Sequence, residues 1–511
     1  MDKRDYDLVV IGGGPAGIIG AATGGGFGKS VALVDAHHEL GGACVNTGTA
    51  PSKTLRETAL ALSGARSRNL YGVDLSLRKE ATVADFLRHE RNVKTGLNMY
   101  VEEMLKRSSI DVHYGTAIFA DDHTVIARFS KDEPEVHLRG EVILIATGSS
   151  PVRPNIFPFD NSGVYDSDTI LELSRLPKTL AVVGAGVIGS EYASTFAALG
   201  TQVHLIDGRN VLLPFLDSEI SRSLVEAMEH NGIVFHWNER VAACVAEPAG
   251  IVLTFSSGVS LTVEAVMVAA GRQSNTDTLN LAAAGIPVGA RGLIVVDDHF
   301  RTSVPHVYAA GDVIGFPALA STSMEQGRRA IRYAFGYKLR SEFPDVLPTG
   351  VYTIPEAGMV GETEQSLQQK GVPYVVGRRS YDASPRGRII GDTHGFLKLI
   401  FRRGDMRLLG VHALGEQATE LVHIGLVAML SGSTSEIFAE ACFNTPTFGE
   451  LYKYAAIDAE TAAACESVTP SCGCASFIPP LLRLDIDSGS DCCGLGRLPA
   501  AGLLCKPLCP D

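Results

Sequence analysis

The sequence predicts an α/β chain with two Rossmann-like dinucleotide-binding domains and an α+β C-terminal domain. Three observations carry this. Two glycine fingerprints each follow an apolar strand and open a helix; an acid closes the next strand at the same offset in both copies; and glycine is abundant in an otherwise ordinary globular composition. The chain has 511 residues, 45% of them hydrophobic and 20% charged, with 54 Gly. That length suits about three domains, and the apolar content excludes chain-wide disorder. No apolar run reaches the ~18 residues of a membrane span. A net charge of −13 argues against nucleic acid as a partner.

The first fingerprint runs from the apolar, β-prone segment Asp7–Val10 into Ile11-Gly12-Gly13-Gly14-Pro15-Ala16-Gly17, with a small-residue helix expected from about Ile18 and a strand over Ser30–Val34 ending in Asp35. Gly12 makes the tight turn, and Gly14 lets a pyrophosphate approach the backbone at a helix N-terminus, where free N–H groups and the dipole favour anions. Gly17 lets helix and strand pack closely, and Asp35 offers an acceptor to a ribose hydroxyl. The plan recurs at Thr179–Val183, Gly184-Ala185-Gly186-Val187-Ile188-Gly189 and Thr201–Ile206, ending in Asp207. First glycine and acid are 23 residues apart in each copy. One such turn is a weak signal, but two in strand–turn–helix context predict two dinucleotide sites. Three further strand ends support the plan: Glu141–Ala146 before Thr147-Gly148, Val263–Ala270 before Gly271-Arg272, and Val307–Ala310 before Gly311-Asp312.

The segment Gly41-Gly42-Ala43-Cys44-Val45-Asn46-Thr47-Gly48-Thr49-Ala50-Pro51-Ser52-Lys53 resembles the redox motif of the flavoprotein disulfide reductases, the family of glutathione reductase, lipoamide dehydrogenase and mercuric reductase. The resemblance extends over roughly residues 5–460. It implies an FAD-binding domain in two parts (1–150 and 273–345), an NAD(P)-binding domain (151–272) and a dimerisation domain (346–465), with a homodimer or higher homo-oligomer as the assembly. By the family pattern Gly12, Gly14, Gly17, Asp35, Gly42, Lys53, Thr147, Gly148, Asp312 and Ala320 hold FAD. Gly184, Gly186, Gly189, Asp207, Arg209, Gly271 and Arg272 fall on the nicotinamide nucleotide. Lys53 is implied to sit near the flavin N5 and to pair with Glu191, tuning the flavin's electron affinity.

Two departures from the family pattern bear on the chemistry. The family's motif carries two cysteines with four residues between them; here the first is Cys44 and the second position is Thr49. The family also places a His immediately before a Pro-Thr, with a Glu four residues after the Pro. Here that segment reads Phe443-Asn444-Thr445-Pro446-Thr447-Phe448-Gly449-Glu450, so Thr445 replaces the His while Glu450 remains. Electron acceptor and proton shuttle of thiol chemistry are both lost. The soluble, Si-specific pyridine nucleotide transhydrogenases share this pair of losses. The stretches Gly311–Pro317, Pro348–Glu356 and Leu212–Asp217 also resemble that branch.

The resemblance implies ping-pong hydride transfer between NADPH and NAD⁺ through the flavin, since electrons that cannot leave through a disulfide return to a second nicotinamide. Asp207 favours a ribose 2′-hydroxyl and hence NAD, whereas Arg209 suits the 2′-phosphate of NADP; the mixed pair permits both. Asn210 and Val211 add no charge. Two other readings share the same domains: an NADH-dependent flavoprotein oxidase or diaphorase, and a lipoamide dehydrogenase-like reductase. A non-enzymatic reading makes the Cys-rich tail a metal- or partner-binding module.

Seven of the ten cysteines fall in the last 47 residues. The tail, 466–511, lacks periodicity, and its cysteine spacings are not those of a zinc finger; it reads as a disordered appendage, and no metal ligands are assigned. Cys244 and Cys442 read as core residues, His412 and His423 as packed histidines, and His37-His38 as solvated. Arg66–Lys106 reads as long polar helices, and Gly350–Ile354, Phe396–Phe401 and Leu408–Ala413 as strands. The polar start, Met1–Asp7, carries no apolar signal core, which makes the cytoplasm the expected compartment.

Overall fold

The computed structural model describes residues 2–63, 83–129, 135–160, 163–339, 343 and 345–467. The strand Asp2–Ile11 lies at the centre of a seven-stranded sheet among the described residues. Leu8, Val9, Val10 and Ile11 are all buried, as a parallel strand covered on both faces must be. Val31–Asp35 pairs in parallel on one side and Val136–Ile145 on the other. The second edge of Val136–Ile145 is shared. Its first half takes the antiparallel strand Thr124–Arg128, and its last three residues take Val307–Ala309 in parallel. The chain therefore leaves this sheet after Val136–Ile145 and returns to the same strand some 160 residues later.

The excursion builds a second parallel sheet in the order Val234–Trp237, Gln202–Asp207, Thr179–Val183, Ala265–Val268, Val164–Tyr165, with an antiparallel meander over Val241–Val263. The outgoing and returning connections, Ser149–Pro151 and Arg272–Ser274, pair with each other as a two-stranded ribbon. The third domain is a five-stranded antiparallel sheet, Thr349–Val351, Ala357–Gly361, Leu408–Leu414, Phe396–Arg402 and Tyr374–Ser380, covered by the helices Ala418–Leu430 and Leu451–Ser467. No helix among the described residues is long and apolar enough to cross a membrane.

Several expectations shift. The first fingerprint helix begins at Pro15, not Ile18, because proline suits the first helical turn. Of Arg66–Lys106, the structure describes one amphipathic helix, Val83–Arg107; residues 64–82 lie outside the described residues, as does the tail beyond Ser467. Cys465, counted with the tail, stands exposed on the last helix. Cys244 is buried, but Cys442 is exposed, since it lies in the short link after helix Glu436–Glu440 and not on a packed face. His412 is fully buried in its strand, whereas His423 lies on the solvent side of helix Ala418–Leu430.

Between the second and third domains lies a buried charge cluster. Lys398, on the interior strand Phe396–Arg402, is 0% exposed. Its ammonium reaches Asp217 at 2.8 Å, Glu219 at 3.0 Å and Glu364. Asp217 is itself the N-cap of helix Ser218–His230 and accepts the Glu364 N–H. Burial works against both charges, but their mutual hydrogen bonds win: Lys398 is held above its ordinary 10.5 and Asp217 below its ordinary 3.8. His412 faces the same cluster, and burial lowers its pKa so that it stays neutral.

The sign of the pH dependence follows from linkage. The stability from Lys398 is complete below about 10.5 and is lost as pH rises through its higher folded value. That from Asp217 is complete above about 3.8 and is lost as pH falls toward its lower folded value. An unfolded His412 takes up a proton near pH 6.5 that the folded one refuses, so stability begins to fall below that pH. Thermal melts against pH are expected to show this acid shoulder, and His412→Gln to reduce it, with the residue left by His204 and His236, which burial also lowers. Lys398→Met is expected to cost about 3–5 kcal/mol at pH 7 in denaturant titration, because it leaves buried carboxylates uncompensated.

Candidate functional site

The two fingerprints fold alike. Gly12 and Gly184 both have φ +105°. A Cβ on Gly12 would lie 2.3 Å from the Ala146 carbonyl oxygen, and one on Gly184 2.4 Å from that of Ala269. Gly17 and Gly189 sit against the turn itself: a Cβ would stand 1.8 Å from the Gly12 oxygen and 1.9 Å from the Gly184 oxygen. Gly14 and Gly186 are different. Each caps its helix, Pro15–Gly26 or Val187–Ala198, with no side-chain cap and no acid in the first turn. A Cβ on Gly14 would meet only the Gly42 Cα at 3.9 Å, and one on Gly186 would meet nothing within 4 Å. Each helix therefore presents first-turn N–H groups to open space, an arrangement that binds phosphate.

The acids brace these turns. Asp35 accepts the Gly13 N–H at 2.6 Å and the His37 N–H at 2.7 Å. Asp207 accepts the Ala185 N–H at 2.7 Å, the equivalent bond in the second copy. Asp207 also holds Arg209, whose backbone N–H, Nε and Nη2 donate at 2.9, 2.8 and 2.8 Å. Burial pushes the Asp207 pKa up, but these bonds outweigh it and keep it below the ordinary carboxylate value. Asp207 and Arg209 are thus one bidentate pair, not two independent readers of a ribose.

The remaining sequence-predicted positions converge around the first turn. Gly42, at φ +55°, lies so close to Gly14 that a Cβ would stand 2.8 Å from its Cα. Thr147 donates to the Asn275 carbonyl at 2.8 Å, and the Asn275 N–H donates to the Gly148 carbonyl at 3.0 Å. Asp312 opens a short 3₁₀ turn and accepts the Ser149 hydroxyl at 2.7 Å. Arg272 turns its guanidinium onto Ser149, donating to Oγ at 2.8 Å and to the carbonyl at 2.5 Å. It acts on Asp312 through that serine. Gly271 accepts the Val152 N–H within the same ribbon. Ala320 begins helix Ala320–Ala334, which has no side-chain cap and no acid in its first turn.

Lys53 and Glu191 meet as expected, Nζ to Oε2 at 2.7 Å, with Glu191 buried. The other Glu191 oxygen accepts the Tyr352 N–H at 2.9 Å, and Lys53 lies over the Tyr352 ring, 4.9 Å from its centroid. Cys44 is a free thiol. Burial raises its pKa, opposed by a hydrogen bond from Thr49 and by the Lys53 charge. On the third domain, the Thr445 hydroxyl donates to Glu450 Oε2, while Glu450 Oε1 is buried without a hydrogen-bond partner among the described residues. Lys53, Arg56, Glu57, Tyr352, Glu356 and Thr419 line part of an adjoining cleft of about 300 Å³.

Sequence reasoning missed the roles of Ser149, Tyr352, Asn275 and Gln326, whose side chain accepts the Gly311 N–H at 2.8 Å. Each acts across more than ten residues of chain with no local pattern. The adjacency of Ser149 to Thr147-Gly148 was the one usable signal.

The open cradle at Gly14, the uncapped helix beyond Ala320 and the carboxylate of Asp312 fit FAD: N–H groups for its diphosphate and an acceptor for its polyol. If so, Gly14→Ala leaves the apoprotein's stability within about 1 kcal/mol of the parent, since the added Cβ has room, yet abolishes the copurifying yellow colour. Gly17→Ala, whose Cβ meets backbone, is expected to lower stability by about 2 kcal/mol or more. Absorbance at purification and thermal melts separate the two outcomes.

Residues 6–327 match the family model described as pyridine nucleotide-disulphide oxidoreductase, and residues 347–456 match that family's dimerisation domain. The chain is 46% identical over 455 residues to a soluble pyridine nucleotide transhydrogenase of Mycobacterium bovis, covering 89% of this chain and 97% of that one. It is 41% identical to the protein of that name from Hahella chejuensis, covering 90% and 99%. Among solved structures, the HOCl-induced flavoprotein disulfide reductase RclA from Escherichia coli, in its Cu(II) complex, superposes with a TM-score of 0.81 at 28% identity, covering 89% of this chain and 99% of that one. Fold, turns and matches together place this chain in the pyridine nucleotide-disulphide oxidoreductase family, among relatives that carry the name soluble pyridine nucleotide transhydrogenase.

Proposed function

We propose that this chain passes a hydride between NADPH and NAD⁺ in a ping-pong sequence, both nicotinamides using one site in turn. The observation that carries the reading is Thr49 beside Cys44. A threonine hydroxyl beside the lone thiol cannot take an electron pair, and Cys44 has no second sulfur in its motif. The partner function is missing too: Thr445 is hydrogen-bonded to Glu450, where the family's His would carry protons. When bound, FAD supplies a ring that takes a hydride from one nicotinamide and yields it to another.

The chain's own residues bind and orient. Gly14 and Gly186, at the heads of their helices, seat the two diphosphates. Asp312, held by Ser149 and Arg272, receives polyol hydroxyls. Lys53, fixed by Glu191 and lying over Tyr352, keeps one positive charge at a set point beside the reacting rings. The two nicotinamide couples lie close in potential, so rate depends mainly on this positioning. The first domain (1–150 with 273–345) holds FAD and the second (151–272) the nicotinamide nucleotide, in a cytoplasmic enzyme.

Anaerobic addition of one equivalent of NADPH to the yellow protein is expected to bleach the flavin band, and NAD⁺ then to restore it with stoichiometric NADH. Bleaching without restoration by NAD⁺ would overturn the reading.

The assembly we assign is a homodimer formed by the third domain. Val427 and Leu430, on helix Ala418–Leu430, are 64% and 62% exposed, and Ile437 and Tyr454 add to the apolar surface, more than scattered surface residues require. Val427→Asp with Leu430→Asp is expected to shift the protein to monomer in sedimentation at micromolar concentration; an unchanged mass removes this face from the interface.

A further inference from the structure

Arg240 lies outside every motif of the sequence, yet it stands at the nucleotide-reading end of the second fingerprint. It follows strand Val234–Trp237, whose parallel pairing sets Trp237 beside Asp207. Beyond that strand the Asn238 N–H donates to the Arg209 carbonyl at 3.2 Å, and the Glu239 N–H to the Asp207 carbonyl at 3.1 Å. Residues 238–240 are thereby stitched along 207–209. The Arg240 stem crosses the open face of Gly208: a Cβ there would lie 3.0 Å from Arg240 Nε and 3.3 Å from Cγ. Any larger residue at 208 would displace it.

The Asp207–Arg209 pair is neutral overall, but its two charges are unequally exposed. Both Asp207 oxygens are occupied, by the Ala185 N–H and by three donors of Arg209. The acid is 9% exposed and the arginine 49%, so the carboxylate is screened while the guanidinium keeps three of its five N–H bonds for another acceptor. Glu239 turns away, accepting from the Ser256 hydroxyl at 2.9 Å and the Ser257 N–H at 3.3 Å. The Arg240 side chain is exposed and makes no hydrogen bond or ion pair among the described residues.

We propose that Arg240, acting with Arg209, binds the phosphate monoester on the adenosine ribose of NADPH and sets selectivity between phosphorylated and unphosphorylated nicotinamide nucleotides. This rests on the use of NADPH proposed above. Two guanidinium forks suit a phosphate dianion. Asp207, ordinarily a reader of the 2′-hydroxyl, becomes the support that aims Arg209. Because Arg240 has no bond to surrender, a nucleotide without the phosphate still enters, as a protein serving both nucleotides requires.

The test titrates the full-length holoprotein with 2′,5′-ADP and with 5′-AMP by calorimetry. The parent is expected to prefer 2′,5′-ADP by about tenfold or more, Arg240→Ala to lose about tenfold of that preference, and Arg240→Lys, which keeps charge without the fork, to recover part of it. In kinetics, Arg240→Ala is expected to lower kcat/KM for NADPH relative to NADH, the loss appearing in KM. No preference in the parent, or an undiminished one in Arg240→Ala, overturns the proposal. If the preference behaves as expected but the parent moves no hydride from NADPH to NAD⁺, the phosphate site stands and the transhydrogenase reading falls. Hydride transfer with an undiminished preference in Arg240→Ala removes the phosphate site and leaves the transhydrogenase reading standing.

Discussion

Each fingerprint turn depends on a carboxylate that ends the second strand and holds the peptide N–H just after the first glycine of the turn. Asp35 grips Gly13 and Asp207 grips Ala185 across the same 22-residue interval. The bond joins strand to turn at the point where the chain must reverse without a side chain. It fixes the angle at which the helix leaves, and so the direction in which its unpaired N–H groups face. An acid in this position has a structural duty before any nucleotide arrives. Its presence alone does not say which ribose the site prefers; what else its oxygens hold decides that.

The legible part of the molecule is whatever local spacing encodes. Both turns, both acids and the strands that flank them follow from patterns of fewer than thirty residues, and the duplication gives them independent support. Lys53 and Glu191 are legible only through family resemblance, because 138 residues separate the partners of one ion pair. Arg240 and Tyr352 are not legible, since parallel pairing and interdomain packing bring them into place and no periodicity marks them. Cys442 and His423 defeat sequence reasoning for a related reason. In a helix–loop region, an isolated cysteine or histidine among apolar neighbours does not reveal which way it points, whereas His412, inside an apolar strand, does.

The cluster around Lys398 shows a different kind of dependence. A fully buried ammonium is tolerated because three carboxylates from two domains converge on it. Desolvation makes such a cluster a poor source of net stability compared with well-packed apolar side chains. It does impose a strict pairing: the second domain can dock on the third only where Asp217 and Glu219 meet Lys398.

The ribbon formed by Ser149–Pro151 and Arg272–Ser274 has a mechanical consequence. The nucleotide domain is carried on two hydrogen-bonded linkers side by side, and such a two-ply strip flexes across its thin dimension far more readily than within its plane. Any bending of the neck is thereby steered along a single arc. The serine that receives Arg272 lies on that strip and also holds Asp312, so any flexing of the neck is passed directly to that carboxylate.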